Sequence, residues 1–455
     1  MEFNELLAIS PIDGRYLKKT GTFRNTFSEF GLMKFRIITE IRWLQAMATY
    51  PEILEIRPFS NNANEFLENL IVNFNETNAK RIKQIEAETN HDTKAIEYFL
   101  KEKFKENSEL QKCSEFIHFG CTSEDINNLA YAQMLKIAHA QHILPLMDEL
   151  IGLLRSFAHS SSEVPMLSRT HGQPASPTTI GKEIANTCYR LKRWRDQLRS
   201  IEILGKMNGA VGNFNAHIAA YPEVDWLKFS KSFVESLELS WNPYTTQIEP
   251  HDYIADYCYA LVGFNTVLLD FDRDVWSYMS CGHFNQRVSK NEVGSSTMPH
   301  KVNPIDFENS EGNIGVANAI LLHLATKLPV SRLQRDLSDS STLRNMGVGI
   351  AHTLISMQGA IQGIKKIIVN SEYASAELLE HWEILAEPIQ TVMRRYGVEN
   401  PYEKLKELTQ GKQINREKLH QFVDSLDLPE AAKSTLKELT PTNYLGNASQ
   451  RAKDI

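Results

Sequence analysis

Cysteine is scarce in this sequence, and the few cysteines form no recognisable motif. Five cysteines are scattered among 455 residues, and no two of them make a Cys-x-x-Cys pair. An odd, scattered set argues against a disulfide framework and against a structural zinc site. We therefore expect buried thiols in a reducing cytoplasm.

Excess positive charge and long apolar runs are missing as well. Asp and Glu number 56 against 49 Lys and Arg, so the net charge is −7. This balance argues against a general nucleic-acid binder, although it leaves room for a local basic pocket that holds a small phosphate. No run of about 18 apolar residues occurs, and the N-terminal residues lack the basic start and apolar core of a signal peptide. We expect neither a membrane span nor a signal peptide.

The common cofactor motifs are also absent. The sequence has no G-x-x-x-x-G-K-[ST], G-x-G-x-x-G or H-E-x-x-H motif, and no histidine pair has convincing metal spacing. The groups that remain for chemistry are hydroxyls, histidines, a lysine and arginines. We therefore predict chemistry that needs no metal or other cofactor.

The clearest positive signal is helical periodicity. Apolar residues recur at steps of three and four, few segments alternate with period two, and Gly and Pro concentrate between the periodic segments. The pattern predicts an all-α protein with helices at 26–47, 63–87, 94–104, 124–139, 142–159, 178–203, 252–279, 305–327 and 342–368.

Helix length divides the chain into three expected domains. These are an N-terminal helical domain (1–111), a central bundle of long helices (112–365) and a C-terminal domain of shorter helices (366–455). The central helices exceed the average length of about 11–12 residues, and each is apolar enough to need more than one neighbour. Packing of identical bundles from several subunits would supply those contacts. A large monomeric bundle is the alternative.

A polar segment, GSSTMPHKVNP at 294–304, lies between two of the long helices. Its glycine, serines and threonine indicate a mobile loop, whereas Asn303 and Pro304 suit the N-cap and the first position of a helix. A loop that carries hydroxyls and a lysine and leads into a helix N-terminus is suited to hold an anion. A polar surface loop is the alternative.

Other polar clusters lie at the ends of predicted helices. In 168–175, His171 is a candidate general acid because imidazole titrates near neutrality, although a single loop histidine is more often simply solvated. In 119–128, Thr122 or Ser123 can cap the next helix. The hydroxyls and free amides there could also hold a substrate carboxylate.

Two more clusters follow the same pattern. Residues 90–92 suit a helix cap. Ser340 and Arg344 are four residues apart and share a helix face, so together with Arg335 they could form an anion seat at a helix N-terminus. A capped, solvated helix start with incidental arginines is the alternative.

The segment 294–304 closely resembles the signature of the fumarase/aspartase superfamily, G-S-S-x-M-P-x-K-x-N-P. The other clusters resemble the branch of that superfamily that acts on purine nucleotides, in the form found in many Gram-negative bacteria. Many members of the branch have tyrosine and arginine where this chain has His300 and Val302, but the bacterial form shares both residues. The stretches that carry the narrower resemblance are SPIDGRY, TNHDTKAIEYFLK, FIHFGCTSEDINN, SRTHGQPASPTTIGKE, NPYTTQIEPHDYIA and RDLSDSSTLRN.

The resemblance covers essentially the whole chain and implies a fold, an assembly and an activity. The implied subunit is all-helical with three domains, and four subunits form a homotetramer whose active sites each draw on three subunits. The implied activity is release of fumarate from the succinyl-substituted form of AMP and from succinyl-aminoimidazole carboxamide ribotide. Both substrates are small nucleotides, and no cofactor takes part.

The same resemblance assigns roles to individual residues. Ser295 takes the place of the general base, His171 that of the general acid, and Glu308 matches a position associated with a histidine. The positions that match substrate-binding residues are Thr122, Ser123, Gln247, Lys301 and Asn303 around the succinyl carboxylates; Arg15, Tyr16, Arg335, Ser340 and Arg344 around the phosphate; and Asn90, His91 and Asp92 near the ribose and base. Ser341, Thr342 and Leu343 are also expected to bind the substrate.

The nearest alternative is another lyase of the superfamily, such as fumarase, aspartase, argininosuccinate lyase or a cycloisomerase. A phosphate seat discriminates, because fumarate and aspartate carry no phosphate and would leave Arg15, Arg335 and Arg344 without a role. A non-catalytic helical scaffold is the other alternative. Against it, both candidate catalytic residues, Ser295 and His171, are present.

Overall fold

The computed structural model describes residues 5–287, 297–298, 300–409 and 414–455, and helices dominate it. The helices up to residue 160 are α1 (Leu17–Thr20), α2 (Arg24–Phe27), α3 (Glu29–Thr49), α4 (Asn61–Val72), α5 (Glu76–Thr89), α6 (Asp92–Phe104), α7 (Ser108–Lys112), α8 (Ser123–Ala138) and α9 (Leu144–Ser160). Short 3-10 turns lie at Glu5–Leu7, Gly21–Phe23 and Ser114–Phe116, and a π-helical turn at His139–Ile143 joins α8 to α9.

The second part of the chain contains the longest helices. They and their shorter successors are α10 (Ile180–Arg199), α11 (Asn215–Ala220), α12 (Trp226–Ser236), α13 (Asp252–Cys281), α14 (Ile305–Lys327), α15 (Ser338–Leu343), α16 (Met346–Lys366), α17 (Ser371–Leu379), α18 (Ala386–Arg395), α19 (Pro401–Thr409), α20 (Arg416–Ser425), α21 (Glu430–Glu438) and α22 (Ala448–Lys453). A 3-10 turn at Trp382–Leu385 precedes α18.

Strands form only small pairs in the described residues. An antiparallel hairpin joins β1 (Pro165–Thr170) to β2 (Gln173–Thr179), with a register shift between Met166 and Ser168. A parallel pair joins β3 (Leu204–Gly205) to β4 (Ser240–Trp241), and an antiparallel pair joins β5 (Phe284–Gln286) to β6 (Ile367–Val369).

The mostly helical class is confirmed, and several boundaries differ from the sequence prediction. The range 63–87 divides into α4 and α5 because Asn75 caps a new helix, accepting the N–H groups of Thr77 (3.0 Å) and Asn78 (3.2 Å). The range 178–203 becomes helical only at Ile180, since Thr178 still pairs with Met166 in the hairpin.

Two further boundaries shift by a few residues. α14 begins at Ile305, and the carbonyl of Pro304 accepts the N–H of Glu308 (3.1 Å). Pro304 therefore takes the N-cap position predicted for Asn303. The range 342–368 starts later than predicted, because α15 ends at Leu343 and α16 begins only at Met346.

Two other expectations concern the membrane span and the cysteines. Helix α13 is long and apolar enough to cross a membrane by length and composition, but 61% of its most apolar window is buried inside the protein, as in the core helix of a soluble protein. All five cysteines are free. Cys188 and Cys258 are buried as expected, whereas Cys281 is exposed because it lies at the C-terminal end of α13.

The chain forms two compact units. Unit 1 comprises Met1–Leu146, Trp194–Asn265 and Asn313–Ser356, and unit 2 comprises Met147–Arg193, Thr266–Gly312 and Met357–Ile455. Each unit is assembled from three separate stretches of the chain. The division into 1–111, 112–365 and 366–455 stays a prediction.

In unit 1, an aromatic cluster on α3 and α12 forms part of the core. The Trp43 ring stacks on Phe229 at 5.1 Å and meets Phe233 edge-on at 4.9 Å. Its indole N–H donates to the carbonyl of Phe119 (3.1 Å), so the same side chain also holds the polar segment that precedes α8.

An ion pair lies at the centre of unit 1, with both side chains fully buried. The Nζ of Lys206 is 3.1 Å from Oδ1 of Asp125. Asp125 also accepts the N–H groups of Thr122 (2.8 Å), Asn208 (2.9 Å) and Gly209 (3.1 Å). This carboxylate therefore ties the first turn of α8 to the chain that follows β3.

In unit 2, the C-terminal helices share one apolar core. Its buried members include Leu378, Leu385, Ile389, Met393, Leu419 and Val423, and Leu167 of β1 belongs to the same cluster. The β1–β2 hairpin is thus packed on the C-terminal helices through its first strand.

We predict that Lys206→Met lowers the free energy of unfolding by about 3–5 kcal/mol, because it leaves Asp125 as a buried, uncompensated charge. Denaturant unfolding followed by circular dichroism measures the change. Lys80→Met is the matched control, since Lys80 is an exposed partner of Glu76 and such pairs contribute little. Equal stability of the two variants would contradict the importance of the buried pair.

Candidate active site

The polar segment 119–128 is held in a constrained backbone conformation. Gly120 has φ +70°, and a Cβ there would lie 2.5 Å from Nε2 of the buried His217. Any side chain at this position would both strain the backbone and displace the histidine. The course of the chain into α8 is therefore fixed from both sides, by His217 and by Trp43.

Thr122 and Ser123 lie at the start of α8, as predicted. Thr122 occupies the N-cap position, and both side chains are partly exposed. The backbone N–H of Thr122, however, donates to Asp125 (2.8 Å). The sequence-based expectation of free amides is thus wrong at Thr122. Its hydroxyl oxygen faces the N–H of Asp125 in a capping box, which leaves the hydroxyl hydrogen to donate to a ligand.

Asp92 connects two arginines from distant parts of unit 1. Its Oδ2 accepts Nη2 of Arg36 (2.8 Å) and Nη2 of Arg344 (3.1 Å). Burial raises the pKa of Asp92, but the charge and hydrogen bond of Arg36, the N–H of Thr93 and the charge of Arg344 outweigh burial and lower it to about 2. Asp92 is therefore ionised at neutral pH.

Arg36 is almost fully buried on α3, with 1% of its surface exposed. Its Nε donates to Oδ1 of Asn127 (2.8 Å), and Asn127 in turn donates to Oε1 of Glu124 (2.8 Å). Arg36 thereby joins the cluster at 90–92 to the first turns of α8.

Arg344 lies at the C-terminal end of α15, not at the helix N-terminus that the sequence predicted, and it forms the predicted contact with Ser340. Its Nη1 donates to the hydroxyl of Ser340 (2.8 Å) and to the carbonyl of Ser340 (3.2 Å), so the predicted i, i+4 pair is formed. Its Nε lies 3.8 Å from Glu29. The guanidinium is partly exposed and already faces two carboxylates, those of Asp92 and Glu29.

Arg335 lies beside the buried carboxylate of Glu124. Its Nη2 is 3.0 Å from Oε1 of Glu124 and 3.6 Å from Oδ1 of Asp339. Its Nη1 donates to Oε1 of Gln247 (3.4 Å), and Gln247 donates to the carbonyl of Ala210 (3.1 Å). Gln247 and Arg335, predicted to hold a carboxylate and a phosphate respectively, are thus direct neighbours.

The other predicted binding residues of unit 1 are placed as follows. Asn90 has φ +51° and ends α5, and Nδ1 of His91 caps α6 by accepting the N–H of Lys94 (3.1 Å). Arg15 is exposed, and the hydroxyl of Tyr16 lies 3.5 Å from Nδ2 of Asn313. Leu343 is buried. The carbonyl of Ser341 accepts a hydrogen bond from the side chain of Asn345, and the hydroxyl of Thr342 donates to the carbonyl of Ser338.

In unit 2, His171 stands at the tip of the β1–β2 hairpin. It has φ +53° and is followed by Gly172 at φ +74°, so the turn presents the imidazole to solvent. Two successive positive φ values are typical of the tight turns that join hairpin strands. The histidine is held by the backbone of the hairpin.

The signature loop is described only in part. Ser295 lies outside the described residues. Lys301 is exposed, with its backbone N–H bonded to the carbonyl of Met298 (3.0 Å), and Asn303 is partly exposed just before α14. Glu308 is exposed in the first turn of α14, where Nε1 of Trp276 donates to it (3.3 Å). Among the described side chains, Glu308 and His171 form no hydrogen bond with each other.

The structure brings together clusters 90–92, 119–128 and 335–344 with Gln247 through residues that the sequence analysis did not select. These residues are Arg36, Glu124, Asn127 and Asp339. One signal was available, since Arg36 and Glu40 lie on the same apolar stripe of α3 as Met33 and Ile37, and charges on a buried face need partners. Glu40 has one in His118, whose Nδ1 lies 2.6 Å away.

Sequence families cover nearly all of the chain. The family described as Lyase matches residues 14–319, and the family described as Adenylosuccinate lyase C-terminal matches residues 331–445. The join between the two matches falls just before the Arg335–Arg344 cluster.

Full-length relatives are closely similar. The adenylosuccinate lyase of Haemophilus influenzae is 58% identical over 448 residues, and that of Escherichia coli K12 is 59% identical over 448 residues; each match covers 98% of both chains. The adenylosuccinate lyase of Buchnera aphidicola from Acyrthosiphon pisum is 53% identical over the whole of both chains.

Solved structures of more distant proteins share the fold. The 3-carboxy-cis,cis-muconate lactonizing enzyme of Pseudomonas putida superimposes with a TM-score of 0.75 at 20% identity, covering 95% of this chain and 96% of the other. A fumarate lyase of Mesorhizobium gives 0.76 at 17% identity, covering 95% and 97%. The chain is a lyase and belongs to the adenylosuccinate lyase family of the fumarase/aspartase superfamily.

Proposed function

We propose that the enzyme releases fumarate from adenylosuccinate, giving AMP, and from succinyl-aminoimidazole carboxamide ribotide, giving the free carboxamide. The observation that carries this proposal is the pairing of Arg344 with Ser340, with Arg335 on the same short segment. Two guanidinium groups and a hydroxyl suit a phosphate monoester. Malate and aspartate carry no phosphate.

The chemistry requires removal of a very weakly acidic proton next to a carboxylate. The charge that develops must be met by donors already in position. Ser295 is the proposed base, by the match of its segment to the superfamily signature. Lys301 and the start of α14 would stabilise its alkoxide, and closure of the loop would exclude water.

His171 is the proposed general acid for the leaving nitrogen. Its exposure at the hairpin tip supports this role, because the imidazole is free to reach a bound ligand. Glu308 is proposed to tune a histidine of the site through its charge. Its exposure in the first turn of α14 makes it accessible to a group from another subunit.

The succinyl carboxylates are proposed to bind the hydroxyls of Thr122 and Ser123 and the side chains of Gln247, Lys301 and Asn303. The phosphate is proposed to bind at the Arg335–Arg344 segment, with Arg15 and Tyr16 adding a guanidinium and a hydroxyl. Asn90, His91 and Asp92 would then face the ribose and base. When phosphate arrives, Arg344 would exchange part of its contact with Asp92 for a phosphate oxygen.

A homotetramer with shared active sites is proposed for the assembly. Large apolar side chains on the long helices remain exposed in the single chain, which supports burial against further subunits. They include Tyr189 on α10, Tyr259 and Trp276 on α13, and Val316 and Leu322 on α14. A cytoplasmic location is proposed from the chemistry of nucleotide metabolism and the free cysteines.

We predict that Ser295→Ala and His171→Ala each lower kcat for adenylosuccinate at least about 100-fold, since positioned proton transfer contributes that much or more. Fumarate release measures turnover, and circular dichroism confirms folding. His159→Ala, which alters an exposed histidine at the end of α9, should keep wild-type kcat. A folded Ser295→Ala or His171→Ala variant with near-wild-type kcat would refute the role assigned to that residue.

We predict that Arg344→Gln weakens AMP binding about 10- to 100-fold, as expected for loss of a hydrogen bond between charged groups. Fumarate should inhibit the variant as well as it inhibits the wild type, because fumarate has no phosphate. Product-inhibition constants measure both effects. The control is Arg332→Gln, at a neighbouring residue whose side chain is 84% exposed. Equal weakening of AMP and fumarate binding would contradict a phosphate role for Arg344.

A further inference from the structure

The hairpin that carries His171 depends on its neighbours for its position. A two-stranded hairpin is only marginally stable alone in water. The register shift between Met166 and Ser168 further interrupts its ladder of hydrogen bonds. Whatever anchors the strands therefore decides where the imidazole at the tip lies.

The first strand has a charged anchor two residues before His171. Nη2 of Arg169 donates to Oε1 of Glu377 on α17. The Glu377 side chain is only 9% exposed, whereas that of Arg169 is 36% exposed. An ionised pair with one member largely withdrawn from water fixes geometry more firmly than a surface pair.

The second oxygen of Glu377 has a different partner. Oε2 lies 3.0 Å from Nε2 of His283, a buried histidine whose ring contacts those of Tyr278 and Tyr373. Burial lowers the pKa of His283 despite the opposing effect of Glu377. The neutral ring must donate from Nε2, because an ionised carboxylate only accepts.

The main chain of His283 is itself held by a hydrogen bond. Its carbonyl accepts the N–H of Asn370 (2.8 Å), and it directly precedes β5. Both oxygens of Glu377 are therefore committed, one to Arg169 of the hairpin and one to the buried His283. The second strand is anchored separately, because Ser176 donates to Glu387, which also accepts the hydroxyl of Tyr444 (3.2 Å).

We propose that Glu377 is a positioning residue for catalysis, which holds the His171 hairpin in place through Arg169. This inference rests on the proposed function, in which His171 protonates the leaving nitrogen. A displacement of about 1 Å at a reacting group can cost about 100-fold in rate. Neither Glu377 nor Arg169 is among the residues proposed to hold substrate, so loss of Glu377 is expected to affect turnover rather than binding.

The test is a double-mutant cycle in the full-length enzyme with adenylosuccinate as substrate. Glu377→Gln and Arg169→Gln are each expected to lower kcat at least about tenfold, with KM within about twofold of wild type. The double variant should lose no more than the worse single variant, because both changes break one contact. Glu380→Gln, at an exposed residue directly after α17, is the control and should keep wild-type kcat.

A third arm separates positioning from a general loss of structure. In a His171→Ala background, Glu377→Gln should cause no further loss of kcat, since the residue that it positions is gone. A further loss there would overturn the proposal, as would wild-type kcat in Arg169→Gln or an effect confined to KM. If Glu377→Gln fails to fold, Arg169→Gln decides the question, because the Arg169 side chain is more exposed than that of Glu377.

Two outcomes distinguish the positioning role of Glu377 from the general-acid role of His171. An inactive His171→Ala together with a fully active Arg169→Gln overturns only the positioning role of Glu377. A fully active His171→Ala overturns the general-acid role itself, and the positioning proposal with it.

Discussion

The carboxylate of Asp92, held between Arg36 and Arg344, is the interaction on which the proposed binding groups of unit 1 depend. Arg36 is buried, and a buried guanidinium is tolerated only when it is paired and hydrogen-bonded. Asp92 meets that need and uses the same oxygen to orient Arg344. Through Asn127 and Glu124 the network continues to Arg335 and Gln247. The stability of this unit and the arrangement of its proposed binding groups therefore have the same physical origin.

In unit 2, by contrast, the proposed catalytic residues lie at the surface and not within a buried polar network. His171 and Glu308 are exposed, at a hairpin tip and in the first turn of a helix, and the structural support lies behind them in Glu377, His283 and the C-terminal core. An exposed group on a buried support suits an active site that is completed by another subunit. The exposed apolar residues of α10, α13 and α14 are the surfaces that the proposed homotetramer would cover.

Local patterns predicted most of the helices, whereas long-range polar pairing could not be predicted. Apolar periodicity placed α8, α13 and α14 to within about two residues, because a helix is stabilised by contacts three and four residues apart. The β1–β2 hairpin was missed since its strands are polar and its register is irregular. Arg36 and Asn127 are 91 residues apart in the chain, and no local pattern relates them. Family resemblance supplied the roles of Ser295 and His171, which composition and spacing left open.

The central claim is that this lyase selects a succinyl nucleotide through a phosphate seat. The most direct test compares fumarate release from adenylosuccinate and argininosuccinate, and turnover of malate and aspartate, by one preparation of the purified enzyme at equal concentrations. We predict rapid turnover of adenylosuccinate and none of the other three above background. Comparable turnover of malate, aspartate or argininosuccinate would contradict the account, because none of them carries a phosphate for Arg335 and Arg344.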